Sequence, residues 1–515
     1  MKKYVSLIMI GLLILLVSGC SRKVDDHLSK TSSSEDGVTE APGKDISDVS
    51  NEDSLDNTNK HSLEDSNEDN LDNTNKHSID VSNEEGLDNL NEDSLDKDQE
   101  ENNPYAVKGN ENKENDPKEK DQIQAEDRNH KQAGIETEEN ESNSGMLPLP
   151  ATNYLTADML SEAILSEGNL DRLAAVLRKA QQGEEITIGV IGGSITQGSS
   201  TSNTKYSYGY LFYQWWKTAF PNGKINYVNA GIGATNSYLG VHRVDQHLLH
   251  KKPDVVVVEF SVNDSNTHFY KETYENLVRK ILLADHNPAV LLLFMTMEDG
   301  TSAQASHLHI GFWYDLPRIS YRQMVLKEME KGTFAWEDIS PDNIHPNDRG
   351  HAMVGEILWG YMNRAYAKLD TITEEILPEI KEPFTSDAYM DAKILDNQTL
   401  TPIKMGSFFE EEIPARFKHG WTTNSGEDGI VFDLEAQNIG IMYYRTIDGM
   451  SGQFDVYIDG KYERTLDADF TGGWGNYIET IELYRSKEKK THRIEIRKSE
   501  DSKGDVFSIL GFLVS

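Results

Sequence analysis

Three residues of this 515-residue chain have the types and spacing for nucleophilic chemistry on a carbonyl carbon. Ser194 follows an apolar, β-type run at 186–191 and a pair of glycines, so its hydroxyl is expected in a polar turn at the end of a strand. Asp342 and His345 lie three residues apart in a proline-flanked segment far downstream. A hydroxyl nucleophile, an imidazole base and a carboxylate that orients the imidazole together form a catalytic triad. The pattern predicts a serine hydrolase.

The elements that must position these residues alternate between strands and helices. Apolar runs predict strands at 186–191, 225–229, 255–260 and 290–295, with a weaker one at 333–336, and helix-type segments separate them. Several runs are continuously apolar, as parallel strands covered on both faces require. Residues 150–370 are therefore expected to form an α/β domain with a flavodoxin-like, doubly wound parallel sheet. Ligands of such sheets bind beyond the carboxyl ends of the strands.

Small residues and an amide follow the second and third predicted strands. Gly233 and Ala234 come after the second strand, and Asn263 comes after the third. Backbone N–H groups beside small side chains approach an anion closely, and an Asn side chain adds another donor. Together with the N–H of Ser194, these groups predict an oxyanion hole.

The order of these blocks resembles the SGNH (GDSL-like) hydrolase superfamily over residues 184–364. Ser194 with its preceding glycine matches the first block, Asn263 the Asn block, and Asp342-x-x-His345-Pro the last block. The resemblance implies that Ser194 is the nucleophile and His345 the general base and then acid. It also implies that Asp342 orients the imidazole and that Asn263 is an oxyanion donor.

The second block departs from the family pattern. Its usual glycine falls on Ala234, with Gly233 directly before it. Because the family uses a backbone N–H here, alanine can still serve, and both residues remain candidate donors.

The predicted reaction is removal of a small acyl group, most simply acetyl, from a carbohydrate through an acyl-enzyme. The acetyl and carbohydrate assignments depend on the appended β domain and on surface anchoring, described below. One alternative is a lipase or lysophospholipase, which would need a long apolar acyl channel. A second is a non-catalytic, cell-surface glycan-binding protein in which the α/β domain is a scaffold. Acyl transfer to another sugar hydroxyl also stays open.

The first 20 residues resemble a bacterial lipoprotein signal. Lys2 and Lys3 precede an apolar stretch of about 14 residues, which is too short for an ordinary spanning helix. The motif VSGC that ends at Cys20 resembles a lipobox, which implies cleavage before Cys20 and a lipid anchor on its sulfur. We therefore expect a protein held on the extracytoplasmic face of the cell membrane. A plain secretory signal is the alternative. Cys20 is the only cysteine, so no disulfide can form within the chain.

Residues 21–147 are expected to be a disordered, acidic linker. Over residues 21–145, 13 Lys and Arg oppose 36 Asp and Glu, and Tyr105 is the only aromatic residue. A 16-residue unit recurs three times between residues 51 and 98, but with roughly two apolar residues per copy it cannot build a stacked core. Like charges extend such a segment. It is predicted to be a spacer between the membrane and the folded part.

Charge and histidine spacing argue against two other classes of site. The net charge is −37 for the chain and −16 for residues 146–515, and no basic face for nucleic acid is visible. The pairs His307/His309 and His247/His250 lack a nearby carboxylate or cysteine that would complete a metal shell. We expect no metal, no other cofactor and no nucleic-acid partner.

Residues 380–515 predict an antiparallel β-sandwich that resembles the jelly-roll modules of carbohydrate-active esterases. Short alternating runs are separated by turn signals, as at 458–461 and 471–475. Trp421 and Trp474 are candidates either for glycan contact or for packing. The same two alternatives hold for the aromatic residues 312–314, which are expected in a loop after the fourth strand.

Overall fold

The computed structural model describes residues 153–372 and 377–515. The predicted lipoprotein signal, Cys20 and the acidic linker lie outside the described residues. In the described part of the first region, six strands form one sheet: β1 Ile164–Ser166, β2 Ile186–Gly192, β3 Ile225–Gly231, β4 Val255–Glu259, β5 Ala289–Phe294 and β6 Arg318–Ser320. The helices that accompany it are α1 Ala157–Ala163, α2 Asp171–Gln181, α3 Ser194–Gln197, α4 Tyr208–Ala219, α5 Ser237–His247, α6 His268–Leu282, α7 Gln304–Trp313, α8 Tyr321–Glu330 and α9 Asp348–Ala367.

The strand order of this sheet is β1-β6-β5-β4-β2-β3. The pairs from β3 to β6 are parallel, and only the short edge strand β1 is antiparallel. Because β3 and β4 lie on opposite sides of β2, the chain reverses its direction of winding there. This arrangement confirms the predicted flavodoxin-like, doubly wound sheet, and it places a crevice at the carboxyl end of β2.

Short polar side chains begin the main helices. In each case an oxygen of the residue before the helix accepts a backbone N–H of the first turn; these capping residues are Thr156, Ser207, Asn236, Thr267, Ser320 and Asn347. Such caps satisfy N–H groups that have no partner inside the helix. They fix where the helices start, and hence the turns that lead from the strands.

Two local predictions for this region were wrong. The run 333–336 is not a strand; it is a turn that leads into a short 3-10 helix, Trp336–Asp338, and the fifth parallel strand is β6. The segment 304–314 is not a loop, since most of it forms α7. Strand β6 has only three residues, too few to show a pattern in the sequence.

The C-terminal region is an antiparallel β fold, as predicted. Eight strands of the described residues form one sheet: β7 Lys393–Leu395, β8 Phe409–Glu412, β9 His419–Thr423, β10 Ile430–Arg445, β11 Gln453–Ile458, β12 Lys461–Asp467, β13 Tyr477–Lys498 and β14 Phe507–Val514. Several runs that looked separate in the sequence join into the long strands β10 and β13, with register shifts where the strands bend.

The two layers of this β fold are the two halves of one curled sheet. Phe454 of β11 and Phe507 of β14 lie three strands apart in the sheet order β12-β11-β13-β10-β14-β9-β8. A flat sheet would separate them by about 14 Å, since neighbouring strands are about 4.8 Å apart. Their ring centroids are 4.6 Å apart, so the sheet curls until its own face meets itself around an apolar core.

The curled sheet packs against helices α5 and α6 of the α/β region. Met442, Ile478 and Leu513 of the curled sheet belong to the same buried apolar cluster as Leu239 and Leu277 of those helices. The two regions therefore share a core. Each helix in residues 153–372 and 377–515 is too short or too polar to cross a membrane.

Candidate active site

Ser194 lies at the carboxyl end of β2, in the crevice that the strand order creates. It is the first residue of α3, a single turn. The backbone must pass very close to its neighbours here: a Cβ on Gly192 would lie 2.1 Å from Thr196 Oγ1, and one on Gly231 would lie 2.2 Å from the N atom of Gln197. The glycines at the ends of β2 and β3 thus permit the tight turn that presents Ser194.

The structure brings Ser194, His345 and Asp342 together in one chain of hydrogen bonds. His345 Nε2 is 2.8 Å from Ser194 Oγ, and His345 Nδ1 is 2.8 Å from Asp342 Oδ2. Ser194 is buried to 6% exposure, whereas the side chains of His345 and Asp342 are 24% and 44% exposed. Residues 151 positions apart in sequence thus form the arrangement predicted for a catalytic triad.

The turn that carries Asp342 and His345 is braced from both sides. Asp342 Oδ1 accepts the N–H groups of Ile344 at 2.8 Å and His345 at 2.6 Å. The Ser340 hydroxyl shares its single proton between the carbonyl oxygens of Asp342 and His345, at 2.6 and 2.7 Å, and Trp336 Nε1 donates to the carbonyl oxygen of Asp342. The imidazole is therefore held toward Ser194 by a rigid turn.

Asp342 remains a carboxylate in this turn. Partial burial pushes its pKa upward, but the N–H and imidazole of His345 and the N–H of Ile344 outweigh it, so the pKa lies below its ordinary value. An ionised carboxylate only accepts hydrogen bonds, so His345 Nδ1 carries the proton that it donates to Asp342. His345 Nε2 is then left with the lone pair that faces the Ser194 hydroxyl.

Asn263, the predicted oxyanion donor, lies beside the residue that precedes Ser194. A Cβ on Gly193 would be 2.1 Å from Asn263 Oδ1 and 3.0 Å from Nδ2, so the amide packs directly on the backbone that precedes Ser194. Asn263 itself is 6% exposed. Its loop is fixed at the end of β4, where the N–H groups of residues 263 and 264 both donate to the carbonyl of Phe260.

The turn after β3 distinguishes the two candidate donors of the second block. The N–H of Gly233, a predicted oxyanion donor, donates to Gln197 Oε1 at 2.6 Å. This N–H is therefore already engaged within the protein. The N–H of Ala234 has no acceptor among the described residues. Ala234 has a φ of +55°, in the left-handed region that favours glycine. The residue therefore occupies a glycine-like backbone position, in agreement with its alignment to the family's glycine.

A buried carboxylate that the sequence reasoning missed lies beneath the site. Glu259, the last residue of β4, is fully buried; its Oε1 accepts the N–H and the hydroxyl of Ser261, and its Oε2 lies 3.5 Å from Thr196 Oγ1. Burial raises its pKa to about 7, against the opposing effect of the Ser261 bonds. It links the turn of Ser194 to the loop of Asn263. A charged residue that ends an all-valine strand was the available sequence signal.

A second buried pair, Asp264 and His307, was also missed. Asp264 Oδ2 is 3.0 Å from His307 Nε2, and both side chains are 0% exposed. The ring of His307 stacks on Tyr274 at 3.6 Å and 5°. Unlike His345, this imidazole reaches neither solvent nor the Ser194 hydroxyl.

The remaining histidines differ in burial: His250 and His309 are exposed, His247 is half-buried and His242 is buried. Burial lowers the pKa of both His242 and His247 to about 3, and His247 stacks on Phe417. His351 is buried against Tyr208, whose N–H donates to its Nδ1. Within the described residues, no group of three or more His, Cys, Asp or Glu side chains is placed to hold a metal ion.

Of the aromatic residues considered for glycan contact, some are packed in the fold and others are exposed. Trp421 is fully buried in the curled sheet, and Trp313 donates to the carbonyl of Glu382, which anchors the connector between the two regions. Phe312 and Trp474 are 73% and 56% exposed. Trp421 therefore has a packing role, not a glycan contact.

The chain is similar to one known protein family and to two solved structures. Residues 190–353 match the GDSL-like lipase/acylhydrolase family. Two crystal structures of a two-domain esterase (CEX) active on acetylated mannans are similar to the chain. One is 34% identical, with a TM-score of 0.64, and the match covers 69% of this chain and 98% of that one. The other, co-crystallized with mannopentaose, is 35% identical, with a TM-score of 0.63 and coverage of 69% and 97%. No curated protein sequence matches the chain.

Proposed function

Because the chain belongs to the GDSL-like lipase/acylhydrolase family of SGNH hydrolases, we propose that it is a serine esterase that removes O-acetyl groups from a carbohydrate. The observation that carries this proposal is the position of His345, which lies 2.8 Å from both the Ser194 hydroxyl and the Asp342 carboxylate. A hydroxyl beside an oriented imidazole is the arrangement of an activated serine nucleophile.

The acylation step begins with Asp342 ionised and with the imidazole proton of His345 on Nδ1. Ser194 Oγ attacks the ester carbonyl carbon while its proton moves to His345 Nε2. The resulting imidazolium is stabilised by Asp342, which remains ionised. When the tetrahedral intermediate collapses, His345 returns the proton to the departing sugar oxygen, and an acetyl group stays on Ser194. Water activated by the same imidazole then releases acetate.

The oxyanion of the tetrahedral intermediate is assigned to three donors. They are the N–H of Ser194, the N–H of Ala234 and the side-chain amide of Asn263. The N–H of Ser194 is at the first position of a helix, where it has no partner within the helix. The Ala234 assignment is supported by the engagement of the Gly233 N–H with Gln197. Donors fixed in place before reaction stabilise developing charge without reorganisation.

The substrate class is proposed from the two-domain relatives. They act on acetylated mannans, and this chain covers 98% of one of them, including its second domain. We therefore assign acetylated mannan, or a closely related acetylated polysaccharide, as the substrate.

The decisive experiment is acetate release from a panel of acetylated polysaccharides, with a chain-length series of chromogenic esters in parallel. The proposal predicts release from acetylated mannan and a preference for acetate over octanoate esters. Preference for long-chain esters with no release from any glycan would contradict it and favour a lipase.

We further propose that the enzyme is held at the outer face of the cell membrane by a lipid on Cys20. This proposal depends on the lipobox-like motif, and the acidic linker would then separate the esterase from the membrane. Metabolic labelling with a palmitate analogue is expected to label the wild type but not Cys20→Ser, and the variant is expected in the medium. An unlabelled wild type that is released into the medium would overturn the proposal.

A further inference from the structure

Asp264 connects the two loops that carry the assigned oxyanion donors. Asp264 directly follows Asn263 in the chain. Its Oδ1 accepts the N–H of Ser237 at 2.8 Å. Ser237 begins α5, three residues after Ala234. A single buried carboxylate thus joins the loop after β4 to the turn after β3.

The second oxygen of this carboxylate is held by α7. Asp264 Oδ2 pairs with His307 Nε2 at 3.0 Å, and His307 is fixed by its stacking on Tyr274. The same loop is tied to α7 at a second point, where Asn266 Oδ1 accepts the N–H of Ser306 at 3.0 Å. Because both carboxylate oxygens of Asp264 are held, the rotation of its side chain is restricted.

We infer that Asp264, held by His307, is a positioning residue that sets the spacing between the Asn263 amide and the Ala234 N–H. The inference rests on the proposed esterase function, because it concerns donors that act in that reaction. It assigns Asp264 no contact with substrate. Its effect is transmitted through two backbone connections, one to Asn263 and one through Ser237.

Loss of this connection is expected to lower kcat and to leave KM nearly unchanged. Oxyanion donors act on charge that develops in the transition state, so their displacement weakens transition-state binding more than substrate binding. Displacements of about 1 Å at a reacting centre cost up to about 10²-fold in rate. For Asp264→Ala we expect kcat to fall about 10- to 100-fold, with KM within about threefold of the wild type.

Ser237 provides a matched pair of variants that leaves Asp264 in place. Ser237→Pro removes the N–H that Asp264 accepts, and proline is tolerated at the first position of a helix. Ser237→Ala keeps this N–H and loses only the hydroxyl, which bonds to Thr273 at 2.6 Å. The loss of kcat in Ser237→Pro is expected to exceed that in Ser237→Ala about tenfold.

The test measures kcat and KM on a chromogenic acetate ester for these variants, Asn263→Ala and the double variant Asp264→Ala/Asn263→Ala, with thermal unfolding to verify folding. If Asp264 acts through Asn263, the two losses do not multiply in the double variant. Fully multiplied losses, or equal activity of Ser237→Pro and Ser237→Ala, would overturn the inference. Should Asp264→Ala not fold, the Ser237 pair decides alone. Wild type and Ser194→Ala in the same assay test the esterase function itself, so failure of the two proposals is distinguishable.

Discussion

At the scale of single residues, the site depends on how few conformations each functional side chain retains. The Asp342 carboxylate accepts two backbone N–H groups as well as the imidazole, so its position is fixed by its own turn. Asn263 packs on a glycine that leaves room for nothing larger. The sequence motifs predicted these residues because their order along the chain is distinctive. The engagement of Gly233 with Gln197 was not predictable, because it arises only when two strand ends meet.

Asp342→Asn is expected to lower kcat by about 10²- to 10⁴-fold, with little change in KM. An amide at this position can donate to His345 Nδ1, which favours the tautomer that has its proton on Nε2. That proton faces Ser194 and removes the acceptor for the hydroxyl. Steady-state kinetics on a chromogenic acetate ester measure the effect, and Asp338→Asn, on a neighbouring exposed acid, is the control. Retention of wild-type kcat by Asp342→Asn would show that the carboxylate does not orient the base.

Gly193→Ala is expected to reduce kcat by about 10²- to 10³-fold, like the loss of one oxyanion donor. The new Cβ would meet Asn263 Oδ1 at 2.1 Å and Cγ at 2.7 Å, so the amide must move away from its place beside Ser194. As a control, Gly360→Ala contacts only a flexible leucine side chain at 3.3 Å. Full activity of Gly193→Ala would refute the placement of Asn263.

At the scale of elements, the strands were easier to predict than the helix that follows the fourth of them. Strand β5 and the four valines of β4 are continuously apolar because helices cover both faces of the sheet. Helix α7 was missed because its apolar residues do not form one stripe and the residue before it, Ala303, has no side chain that could cap the helix. It is stabilised instead by tertiary contacts, among them the Asp264–His307 pair. Glu259 was missed for a related reason: its partners come from the turns after two different strands.

Glu259→Gln is expected to weaken the pH dependence of stability between about pH 4.5 and pH 7. Burial raises the pKa of Glu259 from the ordinary 4.5 to about 7, so the folded protein binds this proton more tightly than the unfolded chain. The free energy of unfolding therefore falls as the pH rises through this interval, by about 3 kcal/mol for this group. Glutamine keeps an acceptor for Ser261 without an ionisation.

Chemical denaturation at pH 4.5, 6 and 8 measures this effect in wild type, Glu259→Gln and the exposed control Glu330→Gln. The Glu259→Gln variant is expected to lose less stability on going to pH 8 than the other two proteins. Parallel curves for all three proteins would mean that Glu259 does not titrate in this range.

At the scale of the whole molecule, the curled sheet is part of the folded core and not a loosely attached module. Its residues share an apolar cluster with α5 and α6, and Arg485 of β13 donates to Glu272 of α6 across the contact. A Cβ on Gly440 of β10 would lie 2.0 Å from the hydroxyl of Tyr238, which follows Ser237 at the start of α5. The β domain thus packs directly against the helix that the oxyanion turn leads into. The sequence predicted both folds but carried no signal for this interface, which involves residues about 200 positions apart.

Arg485→Ala is expected to lower the free energy of unfolding by about 2 to 3 kcal/mol. Arg485 Nη2 lies 2.6 and 2.5 Å from the two carboxylate oxygens of Glu272, whose side chain is only 1% exposed. Removal of the guanidinium leaves a buried carboxylate without its cation. Arg493→Ala, on the same strand, breaks an exposed pair with Asp433 and should cost under about 1 kcal/mol. Equal costs for the two variants in denaturant unfolding would contradict a buried interdomain pair.

The proposed reaction requires the Ser194 hydroxyl to attack the ester carbonyl carbon. The most direct test is the initial rate of acetate release from acetylated mannan by the wild type, Ser194→Ala and Ser199→Ala, the last altering a nearby serine after the same helix. We predict release by the wild type and Ser199→Ala, and a loss of at least about 10³-fold in Ser194→Ala. Acetate release by a correctly folded Ser194→Ala at the wild-type rate would show that another group attacks the ester.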